Sequence, residues 1–201
     1  MEKNEYNIRN AVFSMPSFFQ KVDSVPGDPE DSIPFMVKTE NAECLVIVYP
    51  VDFPESMPRD VSMVISGIRQ ALGDNQGMIK VDAGEDYVYS IVKTLKEPSG
   101  VQYTLTYQRP YEDFVLNFQG YFDEINTTGM RDTMVFEIFR REQAGGENED
   151  PFEGWTCDPY DEKIGKGTLM NISEQERFDE MFPGFPLSMC RELVRFLNGE
   201  E

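Results

Sequence analysis

Apolar and polar residues alternate most cleanly between Val101 and Arg109, where Val101, Tyr103, Leu105 and Tyr107 stand against Gln102, Thr104, Thr106 and Gln108. A period of two predicts a half-buried antiparallel strand. Runs of the same kind flank it. Residues 86–95 set Tyr87, Tyr89 and Ile91 opposite Val88, Ser90 and Val92, and residues 114–122 set Phe114, Leu116 and Phe118 opposite Val115, Asn117 and Gln119. Glu97-Pro98-Ser99-Gly100 and the stretch from Pro110 to Asp113 supply turn chemistry between the runs. The pattern predicts a three-strand meander. Upstream, residues 33–38 and 44–49 enclose the polar Thr39–Glu43 and predict a β-hairpin. Residues 11–22 alternate well enough for strands around Met15-Pro16, and Asp23 to Asp31 reads as a turn-rich acidic loop with Pro26, Gly27 and Pro29.

Elsewhere the period changes to that of a helix. Val61, Val64, Ile65, Ile68 and Leu72 share one face; Ser56 is suited to cap that helix, Pro58 to its first turn, Asp60 to its dipole, and Gly73 to its end. A second helix starts at Thr127 or Thr128, carries Met130, Met134, Val135, Ile138 and Phe139 on its apolar side, and ends at Arg140-Arg141. Ser173-Glu174-Gln175-Glu176 reads as a capping box opening a third, with Ser173 at the N-cap. Pro186 starts the last, with Leu187, Cys190, Leu193, Val194 and Leu197 inward and Gly199 ending it. The sequence therefore predicts an α+β fold: an antiparallel sheet (hairpin, helix, three-strand meander, helix) packed with helices. Residues 1–142 read as the core domain. Residues 143–201 read as an acidic linker and a C-terminal helical extension packed on the core.

Charge and composition narrow the function. Eighteen Lys and Arg against 37 Asp and Glu leave a net charge of −19. Phosphates repel such a chain, so nucleic acid is not expected as a partner, nor an anionic membrane surface. Eight of the acids fall within residues 142–162, which hold no Lys or Arg. No apolar run approaches the roughly 20 residues of a membrane span, and the polar N-terminus has no signal-peptide core. Cys44, Cys157 and Cys190 are odd in number and widely spaced, which suggests free thiols and a cytoplasmic location. The chain has no histidine. That removes Ser-His-Asp and Cys-His catalysis and His-ligated zinc or haem.

Other motifs fall short. The acidic groups Asp28, Glu30, Asp31 and Glu147, Glu149, Asp150 lack the spacing of a calcium loop. Ile164-Gly165-Lys166-Gly167-Thr168 lacks that of a phosphate loop: Tyr160 stands where glycine is required, and Gly167 where Ser or Thr is. It reads instead as a glycine turn into a short strand, Thr168 to Ile172. Paired carboxylates can hydrolyse glycosides without histidine, but nothing singles out a pair. No catalytic residue, metal or cofactor is assigned.

The remaining candidate is a surface. Tyr87, Tyr89, Tyr103, Tyr107, Tyr111 and Tyr121 are six of nine tyrosines, all in the meander. Tyrosine tolerates both core and water and suits an interface. Tyr87, Tyr89, Tyr103, Tyr107, Tyr111 and Trp155 are the expected partner-binding residues. The competing reading is a sheet covered by helices, with hydroxyls reaching solvent at its edge.

The Cys44–Tyr49 strand, Val51-Asp52-Phe53-Pro54, the Asp60–Leu72 helix, the Val101–Arg109 and Phe114–Phe122 pair and the Thr128–Arg141 helix follow one another over residues 11 to 142. In that order the chain resembles the PsbP-like superfamily, which includes a Ran-binding nuclear import factor and bacterial DcrB-type proteins. The resemblance implies a non-enzymatic binding or assembly factor. Some bacterial cytoplasmic relatives resemble chaperone-adaptors for secreted effectors, others immunity proteins. No functional residue of the superfamily maps onto this chain. The expectation is a non-catalytic, cytoplasmic bacterial binding protein acting on a protein partner through its sheet face or C-terminal extension. The alternatives are a small-ligand carrier, a carboxylate- or tyrosine-based hydrolase, and an acidic decoy for a basic partner. Oligomeric state stays open.

Overall fold

The computed structural model describes residues 2–52, 60–143 and 150–200. The strands are β1 (Lys3–Ile8), β2 (Ala11–Pro16), β3 (Gln20–Lys21), β4 (Ile33–Lys38), β5 (Ala42–Asp52), β6 (Gln76–Ala83), β7 (Val88–Leu95), β8 (Val101–Pro110), β9 (Phe114–Glu124), β10 (Thr156–Cys157) and β11 (Met170–Asn171). The helices are α1 (Val61–Ala71), α2 (Met130–Gln143) and α3 (Pro186–Asn198). Seven strands form one antiparallel sheet in the order β3-β4-β5-β9-β8-β7-β6, while β1 pairs with β2 and β10 with β11 in separate two-stranded ribbons. The protein is α+β.

Period-two patterning fixes which face is dry. Register lines up Ile33, Val48, Phe118, Tyr107 and Tyr89 in one row across five strands. Two residues along, Phe35, Val46, Gly120, Leu105 and Ile91 form a second row, and a third runs Val37, Cys44, Phe122, Tyr103, Lys93. Gly120 is small because a Cβ there would meet the Phe122 ring at 2.6 Å and the Leu105 Cβ at 3.3 Å. These rows form the core with Leu187, Cys190, Leu193 and Leu197 of α3 and with Phe13 and Met15 of β2. The β1–β2 ribbon docks through aromatic edges: Tyr6 meets Phe35 at 4.8 Å, and Phe13 meets Phe118 at 5.6 Å. The opposite sheet face carries Leu45, Ile47, Tyr49, Thr104, Thr106 and Gln119, all half-buried.

A smaller cluster joins Val135 of α2 to Phe178, Phe182 and Phe185. It sits on two 3-10 turns, Ile172–Glu174 and Glu176–Met181. The sequence reading placed a helix here with Ser173 at its N-cap. Instead Asn171 is the N-cap, and the Glu174 carboxylate accepts from the Asn171 amide at 2.7 Å. The capping frame lies two residues upstream, and Glu174 turns inward to serve it.

Three strands have no counterpart in the sequence pattern, the two-residue β10 and the longer β1 and β6. β1 shows the solvent mostly polar side chains, and β6 carries a register shift between Met78 and Lys80 that breaks its alternation. The α1 N-cap is Asp60, whose carboxylate accepts from the Ser62 amide at 2.8 Å. Ser56, Pro58 and the Phe53-Pro54 part of the family resemblance lie outside the described residues, as do Glu147 and Glu149.

The outer edge of β6 is closed by the segment before β11. The Tyr160 hydroxyl accepts from the Val81 amide and donates to the Val81 carbonyl at 3.1 Å, so one side chain fills a whole rung of the ladder. A Cβ at Gly77 would lie 2.0 Å from the Thr168 carbonyl oxygen, so glycine is required there. Asp158 holds the segment to α1 through Arg69 at 2.6 Å. An edge strand left open is a template for pairing with another chain, and this is the device that blocks it.

Candidate functional site

Lys93 belongs to the inward row after Tyr89 and Ile91, so period two drives its ammonium into the core. An unpaired charge there would be costly, and Glu174 answers it at 2.7 Å with both side chains about 95% or more buried. The other Glu174 oxygen accepts from the Tyr103 hydroxyl at 2.9 Å. Beside this pair, Asp179 Oδ1 accepts from Arg131 and Arg191, each at 3.0 Å. Arg131 also donates to the Ser173 carbonyl at 2.8 Å and to Ser188 Oγ at 2.9 Å, and Arg191 donates to the Glu174 carbonyl at 2.5 Å. Asp132 accepts from Ser173 Oγ and, at 3.2 Å, from Asn171 Nδ2. The network ties α2, α3, β7 and both 3-10 turns together. Breaking a buried pair of this kind from one side leaves a stranded charge, so the arrangement is rigid.

That rigid frame forms one wall of a groove of about 1400 Å³. Glu176, Arg177 and Glu180 stand on the 3-10 side, and Glu192, Arg195 and Phe196 on α3. The far wall is the ribbon, with Lys3 and Glu5 from β1 and Val12 from β2; Arg109 and Tyr111 close the end. Arg109 is committed: it donates to the Leu197 carbonyl at 2.7 Å and the Tyr107 hydroxyl at 2.8 Å, and faces Asp86 at 3.3 Å. A cation at the C-terminal end of α3 also suits the helix dipole. A second, smaller cavity of about 310 Å³ lies where α2 and α3 begin, lined by Tyr103, Glu124, Arg131 and Asp132. Burial raises the Glu124 carboxyl above the usual range, against the Gly129 amide that donates to it at 2.9 Å.

The expected partner-binding residues are dispersed. Tyr89, Tyr103 and Tyr107 are buried in the core, where they cannot touch a partner directly. Tyr87 is half-buried and stacks on Tyr107 at 5.7 Å. Tyr111, also half-buried, reaches the groove and stacks on Phe114 at 5.3 Å. Trp155 lies apart, edge-on to Phe136 at 5.0 Å, next to an exposed Phe152. The tyrosine-rich face is thus the face covered by α3, and the polar Thr/Gln face lies opposite it.

The two buried thiols and the innermost phenol are shifted toward their protonated forms. Burial lifts the Cys44 thiol to about 12, and raises Cys190 too. The Tyr103 phenol is raised well above its ordinary value by burial and by Glu174 beside it. Among the described residues no group of three or more Cys, Asp or Glu is arranged to hold a metal ion, and no helix is long and apolar enough to cross a membrane.

Apart from Tyr111 the groove residues were not singled out from sequence, and of the ion network only Glu174 was named, as part of a capping box. Lys93 carried a readable signal, since its place in the inward row demanded a buried anion. Glu174 and Asp179 carried none, because 3-10 turns lack the periodicity that reveals an inward face.

No family model and no curated protein matches the chain. Among solved structures it is similar to the Ran-binding protein Mog1p of Saccharomyces cerevisiae, with a TM-score of 0.43 and 8% identity over 75% of this chain and 86% of that one.

Proposed function

We propose that this is a non-catalytic binding protein that docks a protein partner in the groove between α3, the Glu176–Met181 turn and the β1–β2 ribbon. The observation that supports it is the groove itself. It encloses about 1400 Å³ and mixes charged side chains with apolar ones from Val12, Tyr111 and Phe196, as a polypeptide surface requires. A PsbP-like kinship and a bacterial chaperone-adaptor or immunity role belong to the same proposal and rest on the sequence resemblance, while a cytoplasmic setting rests on the free thiols. The division into a 1–142 core and a 143–201 extension rests on the acidic stretch between them; both parts contribute to the groove walls.

A photo-cross-linking residue at Val12 or Glu192 tests this in cell extract. The groove positions are expected to capture one discrete protein, and Thr104 and Gln119 on the opposite sheet face to capture none. Phe196→Arg is expected to abolish capture, with circular dichroism of the variant separating loss of the groove from loss of the fold, since Phe196 also packs against the core. Equal capture from both faces, or none from the groove, overturns the proposal.

A further inference from the structure

We infer that the outer edge of β1 takes an extended segment of the partner as an added antiparallel strand. This rests on the docking function proposed above and states in what conformation the partner meets the ribbon wall.

Register shows which main-chain groups are free. The Ser17 amide donates to the Glu2 carbonyl at 3.0 Å, one step beyond the Lys3–Pro16 pair. Hydrogen-bonded pairs alternate along an antiparallel ladder. Asn4, Tyr6 and Ile8 therefore bond to β2, while Lys3, Glu5 and Asn7 turn their N–H and C=O groups outward. Among the described residues no strand pairs with that side, and no backbone hydrogen bond reaches those groups. All three residues are exposed.

The other edges are covered, short or blunted. Tyr160 and Thr168 cover β6, and β3 has only two residues. On the outer side of β2, Pro16 has no N–H, and its carbonyl accepts from the Phe19 amide at 3.0 Å. The Val12 carbonyl accepts from the Tyr111 hydroxyl at 3.3 Å. β1 has no such device, and an open edge is a template for strand addition.

Side chains specify the occupant. Lys3 and Glu5 line the groove, and neither has an ion-pair partner among the described residues. Opposite charges stabilise directly facing positions of neighbouring strands. An antiparallel strand thus fits with Lys or Arg facing Glu5 and, two residues later, Asp or Glu facing Lys3. Its residue facing Tyr6 falls on the ribbon face that packs on the core, where Tyr6 meets Phe35 at 4.8 Å, so an apolar side chain fits there. A second copy of this chain fits less well. Its Lys3-Asn4-Glu5 matches the charges but sets Glu2 against Tyr6, and each copy brings a charge of −19. The occupant is a segment of a different protein.

The probe is a dye-labelled peptide, Thr-Val-Lys-Thr-Glu, titrated against the full chain by fluorescence anisotropy. In the proposed register its Lys amide donates to the Glu5 carbonyl, and its Val amide points away. N-methylation of the Lys amide is expected to weaken binding about tenfold or more, and of the Val amide less than about twofold. Exchanging Lys and Glu in the peptide is expected to cost about threefold or more. Glu5→Pro removes an outward N–H, leaves the bonds to β2 in place and is expected to abolish binding; Glu5→Gln keeps that N–H and is expected to cost about threefold or less. Circular dichroism checks the fold of both variants, and the two methylated peptides decide the matter on the unaltered chain if either fails to fold. Equal effects of the two methylations, equal effects of Glu5→Pro and Glu5→Gln, or no binding at about 1 mM peptide overturns the inference. So does a dimer of the unaltered chain in sedimentation equilibrium that Glu5→Pro dissolves, which gives the edge to a second copy. Docking fails separately: capture at Val12 without peptide binding leaves the groove and removes the strand, and peptide binding without capture leaves the edge and removes the groove.

Discussion

α1 and α3 have similar lengths, 11 and 13 residues, and both carry apolar side chains along one face. Their situations differ. α3 buries Leu187, Cys190, Leu193, Val194 and Leu197, while no residue of α1 is buried, and Met63 is 63% exposed. The reason is what each helix lies against. α3 crosses β8, β9 and β5 and is met by β2 of the ribbon, whereas α1 lies along the edge strand β6. An apolar stripe sets which way a helix faces; the elements around it set how deep it sits. α3 is further fixed by charge, through Arg191 and Ser188 to Asp179, while α1 is held at its side by the single Arg69–Asp158 pair.

Four changes probe this contrast, the largest first. Asp179→Ala strands Arg131 and Arg191 and is expected to cost about 3–5 kcal/mol in denaturant unfolding; a cost under about 1 kcal/mol would show the network to be ornamental. Leu193→Ala leaves a hole between α3 and the sheet and is expected to cost about 2–5 kcal/mol. The third change is pH. Tyr89, Tyr103 and Tyr107, all on the α3 side, have phenols raised chiefly by burial. A raised folded value means that their contribution is full below the unfolded phenol value near 10 and is lost as pH rises toward the folded values. Circular dichroism should therefore show unfolding above about pH 10, coincident with tyrosinate absorbance; phenols ionising at their ordinary value within an intact fold would contradict the buried α3 side. The smallest effect is at α1: Ile65→Ala is expected to cost less than about 1.5 kcal/mol, because a half-buried side chain has already kept much of its contact with water. A cost matching that of Leu193→Ala would erase the contrast.

Much of the layout was readable from periodicity. β4, β5, β7, β8 and β9, their inward faces and the three helices follow from periods of two and 3.6, except that α2 buries Arg131 and leaves Met134 exposed, because Arg131 is drawn inward to Asp179. β6 was hidden because its bulge between Met78 and Lys80 shifts the alternation midway. β1 was hidden because only Ile8 of its six residues is buried. The site was less legible for a different reason. Tyrosine density marked the right strands but the inner face, since a buried phenol such as Tyr103 finds its partner in Glu174, far along the chain. The groove arises where the chain's first strands meet its last helix. No local pattern records that meeting, and Asp179 and Arg191, which brace one wall of the groove, became meaningful only once they were paired with each other.

The closure of β6 has a bearing on how the protein behaves as a solute. At low ionic strength its negative charge keeps copies apart, but salt screens that repulsion within about 10 Å at 0.1 M. What then stands between the β6 ladder and a strand of a neighbouring molecule is the segment before β11, with the Tyr160 phenol on Val81 as its hydrogen-bonded contact and Thr168 against Gly77. Tyr160→Phe keeps the ring and discards both bonds, so light scattering from that variant is expected to rise with added salt while the parent chain stays dispersed. Colloidal stability in this protein would then be a property shared between a diffuse charge and a single hydroxyl group, each covering the conditions in which the other is weak.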